Sequence, residues 1–109
     1  MKYLMWLLVD ILSMGGNQQE VVAHRIEQYH LPQEQALEIA WCESRLSPTA
    51  YNVNSGGSID RGVFQINDFY WEEQFPTLYK DVYEVDANVQ MAYTIYLKFG
   101  FTPWVCYTE

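Results

Sequence analysis

Residues 43–71 constrain the fold of this chain more than any other stretch; they read ESRLSPTAYNVNSGGSIDRGVFQINDFYW. A helical pattern leads up to Glu43, polar and glycine residues follow at 52–58, and the run GVFQIN alternates like a strand. The sequence therefore predicts a helix that ends in one carboxylate, and a β-ribbon that carries a second one, Asp60. A turn-rich connection of this length suits two carboxyl groups that face each other across a cleft.

Glu43 and Asp60 have different sequence surroundings. Apolar residues at 39–42 precede Glu43, and we expect them to desolvate its carboxyl group and raise its pKa. Asp60 lies among Asn and Ser residues and beside Arg61, which should keep it ionised. A protonated acid opposite an ionised carboxylate is the pair that cleaves glycosidic bonds. This division of roles is the one that lysozyme illustrates.

The same stretch resembles the lysozyme superfamily, both its animal-type (c-type) lysozymes and its bacterial and phage lytic transglycosylases. The similarity is carried by Glu43-Ser44, Ala50-x-Asn52-x-Asn54, Gly57-Ser58-x-Asp60 and the GVFQIN run at 62–67. The resemblance implies an α+β, mainly α, lysozyme-like fold with a small β-ribbon beside a helical core. It also implies a muramidase that cleaves the β-1,4 bond between N-acetylmuramic acid and N-acetylglucosamine in peptidoglycan.

The resemblance assigns roles to individual residues. Glu43 is the expected general acid, and Asp60 is the expected electrostatic stabiliser or nucleophile. Phe69 is expected to point inward. The residues expected to bind substrate or orient Asp60 are Asn54, Gln65, Asn67, Tyr70, Trp71 and Trp104. Trp104 is further expected to pack near Glu43, and no metal or cofactor is implied.

The chain has two cysteines, Cys42 beside the expected acid and Cys106 near the other end of the chain. If Trp104 reaches the helix that carries Glu43, as the resemblance implies, Cys106 can reach Cys42 and form a disulfide. Two free buried thiols are the alternative. His24 and His30 lack ligand partners at metal-binding spacing, so we interpret them as structural or surface residues.

Periodicity predicts the helices of one lysozyme-like domain over residues 1–109. The segment 20–29 should bury Val21, Val22, Ile26 and Tyr29, and the segment from Pro32 to Glu43 forms the next helix. A final helix, 87–99, should begin at an Asp86 N-cap and end at Gly100, with Phe99 on its buried side.

Residues 1–16 are interpreted as an N-terminal helix and loop. A secretory signal is the alternative for this segment, but Asp10 interrupts its apolar run and no typical cleavage site follows. The run is too short for a transmembrane helix, so we expect no stable membrane insertion.

The formal net charge of −8 argues against nucleic-acid binding, which depends on clustered Lys and Arg. The expected partner is the peptidoglycan glycan strand, bound by a monomer that is secreted or virion-associated and in either case extracytoplasmic. The sequence does not fix an export route. Three activities stay open: hydrolysis, which we favour, lytic transglycosylation to 1,6-anhydro products, and a non-catalytic wall-binding or assembly role.

Overall fold

The computed structural model describes residues 17–107, and its elements follow the order helix, helix, three-stranded sheet, helices. The α-helices are α1 (Asn17–Glu27), α2 (Gln33–Ser44), α3 (Asp68–Trp71) and α4 (Val85–Phe99), and a 3₁₀ helix covers Leu78–Asp81. The strands are β1 (Tyr51–Val53), β2 (Ile59–Arg61) and β3 (Ile66–Asn67). This mainly helical α+β architecture confirms the predicted fold class. Within residues 17–107, no helix is both long and apolar enough to cross a membrane.

Helices α1 and α2 bury the faces that their periodicity indicates. In α2 these are Ala36, Leu37, Ile39 and Ala40, as expected for the predicted 32–43 helix. In α1, Val22 and Ile26 are buried, but Val21 is exposed and Ala23 takes the inward position. The prediction was wrong for Val21 because adjacent helical residues point about 100° apart, and the core lies on the Ala23 side of Val22 and not on the Val21 side.

The three strands form an antiparallel sheet in the order β1-β2-β3. Asn52 pairs with Asp60, and Asp60 pairs with Asn67. Directly paired residues of antiparallel strands project from the same face of a sheet, so this row places two amides beside one carboxylate.

The predicted strand GVFQIN is a strand only in its last two residues. Residues 62–65 instead form a buried turn, in which Gly62 has φ +82° and Gln65 has φ +51°. A continuous strand cannot contain these left-handed conformations. The alternation in the sequence was misleading here because Val63 and Phe64 are both fully buried.

The 62–65 turn is held in the core by side chains from three other parts of the chain. The Ser44 hydroxyl lies 2.7 Å from the Val63 carbonyl oxygen, and the indole N–H of Trp104 donates to the Phe64 carbonyl oxygen at 2.8 Å. Asn88 on α4 accepts from the Phe64 N–H at 2.8 Å.

Asn88 is fully buried, and its carboxamide uses its donor and acceptor atoms. Besides the Phe64 contact, its Nδ2 donates to the carbonyl oxygens of Arg61 and Val82. A Cβ atom added at Gly62 would clash with Asn88 and with the Val82 carbonyl oxygen. Position 62 therefore needs glycine both for its positive φ and for this close approach.

Helix α4 differs from the prediction at both of its ends. It starts at Val85 after Glu84, and Asp86 pairs with Arg25 at 3.0 Å and is not the N-cap. Arg25 lies on α1, 61 residues away in sequence, so Asp86 forms a long-range ion pair in place of the predicted local cap. The helix ends at Gly100 as predicted, but Phe99 is largely exposed and contacts Trp71.

We predict that Asn88→Leu destabilises the protein by about 2 to 5 kcal/mol, because one buried N–H and two buried carbonyl groups lose their partner. Urea unfolding followed by circular dichroism measures the difference. Gln90→Leu, an exposed amide on the same helix, serves as the matched control and should change the free energy of unfolding by less than about 0.5 kcal/mol. Equal effects of the two substitutions would contradict the role given to Asn88.

Candidate active site

Glu43 lies in the last turn of α2, where the helix meets the C-terminal segment. The backbone N–H of Cys106 donates to its Oε2 atom at 3.3 Å. Ser44, the next residue, is buried and contacts the 62–65 turn, so the end of α2 is tied to the sheet region. The side chain of Glu43 is thereby held half-buried between α2 and the end of the chain.

The pKa of Glu43 is raised above its usual value of 4.5. Burial is the largest cause, the hydrogen bond from Cys106 opposes it, and the negative charge of Asp60 raises the pKa further. The contribution of Asp60 means that the two carboxyl groups interact electrostatically. Glu43 is therefore suited to carry a proton at a pH where an ordinary Glu has lost it.

Cys42 and Cys106 form a disulfide with a Cα–Cα distance of 6.0 Å, which confirms the predicted pairing over the alternative of two free thiols. Its two cysteines adjoin Glu43 from both sides: Cys42 precedes it in α2, and the Cys106 N–H contacts its carboxylate. Closing a loop of 64 residues contributes about 3 to 5 kcal/mol in the chain-entropy account. The disulfide therefore fixes the segment that hydrogen-bonds Glu43.

Asp60 lies in the middle of β2. Its Oδ1 atom accepts a hydrogen bond from the amide of Asn67 at 2.7 Å. The expectation that Arg61 supports Asp60 was wrong, because the Arg61 guanidinium contacts Asp68 at 3.1 Å and the Tyr79 hydroxyl at 3.2 Å. Adjacent residues of a strand project to opposite faces of a sheet, and this separates the two side chains.

A chain of amide hydrogen bonds crosses the sheet around Asp60. Asn54 and Asn67 both donate to the Ser58 hydroxyl oxygen at 3.1 Å, so Asn54 reaches Asp60 only through Ser58 and Asn67. On the other side, Asn52 donates to the Gln65 side-chain oxygen at 2.7 Å. These bonds fix the orientation of the polar groups on the Asp60 face of the sheet.

A cavity of about 360 Å³ opens between the end of the sheet, α3, α4 and the C-terminal segment. Its lining includes the predicted residues Gln65, Asn67, Tyr70, Trp71 and Trp104, together with Ile66, Ile95 and Pro103. Asn54, Glu43 and Asp60 are not in this lining. Asn67 connects the cavity to Asp60, because it lines the one and hydrogen-bonds the other.

The aromatic residues around the cavity are positioned in different ways. Trp104 is buried against Phe64 and Phe101. Cys106, which lies in the same C-terminal segment, donates its backbone N–H to Glu43. Asn67 caps α3 by accepting from the backbone N–H groups of Phe69 and Tyr70.

The prediction that Phe69 points inward was wrong. Its side chain is 77% exposed, and its ring packs edge-on against the exposed ring of Tyr70.

Sequence reasoning missed several supporting residues. Asn52 was recognised only as part of a motif, and its hydrogen bond to Gln65 depends on a sheet register that the sequence does not specify. Asn88 left a weak signal, because it is polar at a helical spacing of four from the apolar Ala92 on the buried face of α4. Within residues 17–107, no group of three or more His, Cys, Asp or Glu side chains could hold a metal ion.

Comparison with known proteins decides the family. The family model for the lysozyme-like domain matches residues 31–106, more than half of the chain. The chain belongs to the lysozyme-like domain family. The match begins just before α2 and ends at Cys106, so it includes Glu43, the sheet, the cavity and both ends of the disulfide.

Individual relatives of this lysozyme-like domain are similar over shorter lengths. Protein IpgF of Shigella flexneri is 46% identical over 44 residues, which cover 40% of this chain and 29% of that protein. Lysozyme-like protein 6 of Homo sapiens is 34% identical over 50 residues, 46% of this chain and 34% of that protein. The Bos taurus protein of the same name is 36% identical over 50 residues. The chain thus matches about a third of the length of these curated relatives.

We predict that Glu43→Gln stabilises the fold at neutral pH relative to wild type. A carboxyl group whose pKa is raised by folding contributes most below its unfolded pKa, and that contribution is lost as the pH rises through the folded pKa. Because Gln stays neutral, its advantage should be absent below about pH 4 and grow toward neutrality. Thermal unfolding across this pH range measures it.

Glu73→Gln, at an exposed position on the loop after α3, controls for the change in net charge. A wild type that is more stable than Glu43→Gln at neutral pH would contradict the prediction.

Proposed function

We propose that this lysozyme-like domain is a peptidoglycan-degrading muramidase that hydrolyses the β-1,4 bond between N-acetylmuramic acid and N-acetylglucosamine. The observation that carries the proposal is the pairing of Glu43, whose pKa is raised by burial, with Asp60, whose charge acts on it. Glycoside cleavage needs one carboxyl group as acid and a second as stabiliser or nucleophile, and the proposal gives these roles to Glu43 and Asp60.

In this proposal Glu43 is the general acid. It donates its proton to the glycosidic oxygen as the bond to the anomeric carbon breaks, so that the leaving sugar departs as a neutral alcohol. The Cys106 N–H keeps the carboxylate directed while it is ionised, and the water that completes the reaction returns a proton to it. Activity should therefore fall on the alkaline side as Glu43 ionises.

Asp60 is the stabiliser or nucleophile for the positively charged anomeric centre. The amide of Asn67 donates to one of its oxygens, which fixes the carboxylate in place and leaves the other oxygen available. Water then attacks the anomeric carbon, with Glu43 as the base that deprotonates this water, and the product has a reducing end.

The cavity beside Asn67 is the proposed binding site for the glycan strand. Its aromatic residues Tyr70, Trp71 and Trp104 offer apolar surface for the C–H faces of pyranose rings, and Gln65 and Asn67 offer amides for their polar groups. The strand would extend from this cavity past Asn67 to the two carboxyl groups. No metal or cofactor takes part in the proposed reaction.

The proposed site of action is extracytoplasmic. Peptidoglycan lies outside the cytoplasmic membrane, and the Cys42–Cys106 disulfide is typical of proteins in oxidising compartments. The domain is proposed to act as a monomer, either secreted or carried by a virion.

The test is digestion of purified peptidoglycan, with products identified by mass spectrometry. Glu43→Gln should lower the rate at least about 100-fold, and Asp60→Asn at least about 10-fold, because each removes a group that acts in the transition state. Glu38→Gln is the matched control: it lies on α2 and its pKa is also raised by burial. This variant should retain near-wild-type activity.

The products separate the proposal from its alternatives. Hydrolysis gives reducing ends, whereas a lytic transglycosylase gives 1,6-anhydromuramic products that are lighter by one water. Predominantly anhydro products, together with an active Asp60→Asn variant, would replace hydrolysis by transglycosylation. A wild type that binds the wall but is as inert as Glu43→Gln would instead indicate a non-catalytic wall-binding or assembly module.

A further inference from the structure

A second cavity adjoins the first and continues it along α4. It has a volume of about 370 Å³ and shares the side chains of Tyr70, Trp71 and Ile95 with the first cavity. Beyond them its lining has two aromatic residues, Phe75 and Phe99, and three polar ones, Gln74, Thr94 and Lys98. We call this second cavity the Lys98 groove.

Among residues 17–107, Lys98 is the only charged residue that lines either of these two cavities. The protein has few cations, 6 Lys and Arg against 14 Asp and Glu, and two of the five in residues 17–107 form ion pairs. Arg25 pairs with Asp86, and Arg61 pairs with Asp68. In the same described residues Lys98 forms no ion pair, although acidic residues outnumber the cations.

A cation that has no ion pair within residues 17–107, in a groove also lined by four aromatic side chains, could pair with a charged ligand. Neutral N-acetylated sugars offer an ammonium group hydrogen-bond acceptors, their hydroxyl and carbonyl oxygens, but no opposite charge. A carboxylate beside the sugar would pair with it, and the local positive charge would offset the repulsion between an anionic ligand and this acidic protein. In peptidoglycan this carboxylate belongs to the lactyl ether of muramic acid where no peptide is attached, and to the peptide where one is, because the amide bond to the peptide consumes the lactyl carboxyl group.

We propose that Lys98 binds a carboxylate on the lactyl-peptide substituent of the glycan strand, and so makes the Lys98 groove selective for muramic-acid-containing strands. The inference rests on the proposed function, because it assigns the groove to the same substrate. It adds a substituent-binding site next to the sugar-binding cavity. Polymers of N-acetylglucosamine alone have the same backbone linkage but no carboxylate, and they provide the comparison.

The experiment measures binding without turnover, in the Glu43→Gln background, by tryptophan fluorescence. Three ligands of equal sugar number are compared: peptide-bearing glycan fragments, fragments whose peptides have been removed to leave the lactyl carboxylate, and N-acetylglucosamine oligomers. Lys98→Gln should weaken binding of carboxylate-bearing fragments about 2-fold to 5-fold, the upper range for an exposed ion pair, and leave the neutral oligomers unchanged. Weaker binding of the peptide-free fragments alone assigns the contact to the lactyl carboxylate, and weaker binding of the peptide-bearing fragments alone assigns it to the peptide. Weaker binding of both shows that Lys98 pairs with either carboxylate.

Lys80→Gln is the matched control, since Lys80 is an exposed lysine on the 3₁₀ helix and lines neither cavity. It should bind all three ligands as the parent does. The proposal is overturned if Lys98→Gln binds the anionic fragments as tightly as the parent, or if its affinity falls by the same factor for all three ligands. It is also overturned if the parent itself does not bind the anionic fragments. Because binding is read without turnover, failure here is distinct from failure of the proposed muramidase activity, which digestion alone decides.

Discussion

The buried turn at residues 62–65 is the constraint on which the rest of the structure depends. Its peptide groups lie in the core, where unpaired N–H and C=O groups are costly, so each needs a partner. Ser44, Asn88 and Trp104 contact the turn from α2, α4 and the C-terminal segment. The side chain of Gln65 adds bonds to the carbonyl oxygens of Ala50 and Gly62. Four parts of the chain are thereby joined at one point.

The position of this turn explains how the candidate active site is assembled. Ser44 directly follows Glu43, so the hydroxyl that contacts Val63 also fixes the end of the helix that carries the proposed acid. Asp60 lies two residues before the turn and Asn67 two residues after it, on strands that pair with each other. The turn therefore determines the position of Glu43 relative to the Asp60–Asn67 pair. The disulfide acts from the other side, because it holds Cys106 against Glu43.

Much of this arrangement could be predicted from the sequence, and the errors have physical reasons. Apolar periodicity was sufficient to predict α2, because the apolar residues on its buried face need packing contacts and no hydrogen-bond partners. It failed at 62–65, because a fully buried turn and a strand share the same apolar residues and differ in backbone conformation. The Asp86 cap was predicted as a local interaction, but Asp86 instead forms an ion pair with Arg25, and this contact depends on the tertiary fold. The exposure of Phe69 and the role of Asn88 likewise depend on neighbours that are distant in sequence.

The proposed chemistry depends on the proton affinity of one carboxyl group, and the surroundings of Glu43 determine that affinity. Burial and the charge of Asp60 both favour the protonated form, and the Cys106 N–H favours the ionised form. The most direct test is to follow the side-chain carboxyl carbon of Glu43 by ¹³C NMR as a function of pH, in wild type and in Asp60→Asn. We predict a titration midpoint above the usual 4.5 in wild type and a lower midpoint when the charge of Asp60 is removed. A wild-type midpoint at or below 4.5 that does not respond to Asp60→Asn would contradict the assignment of Glu43 as an acid poised by its surroundings.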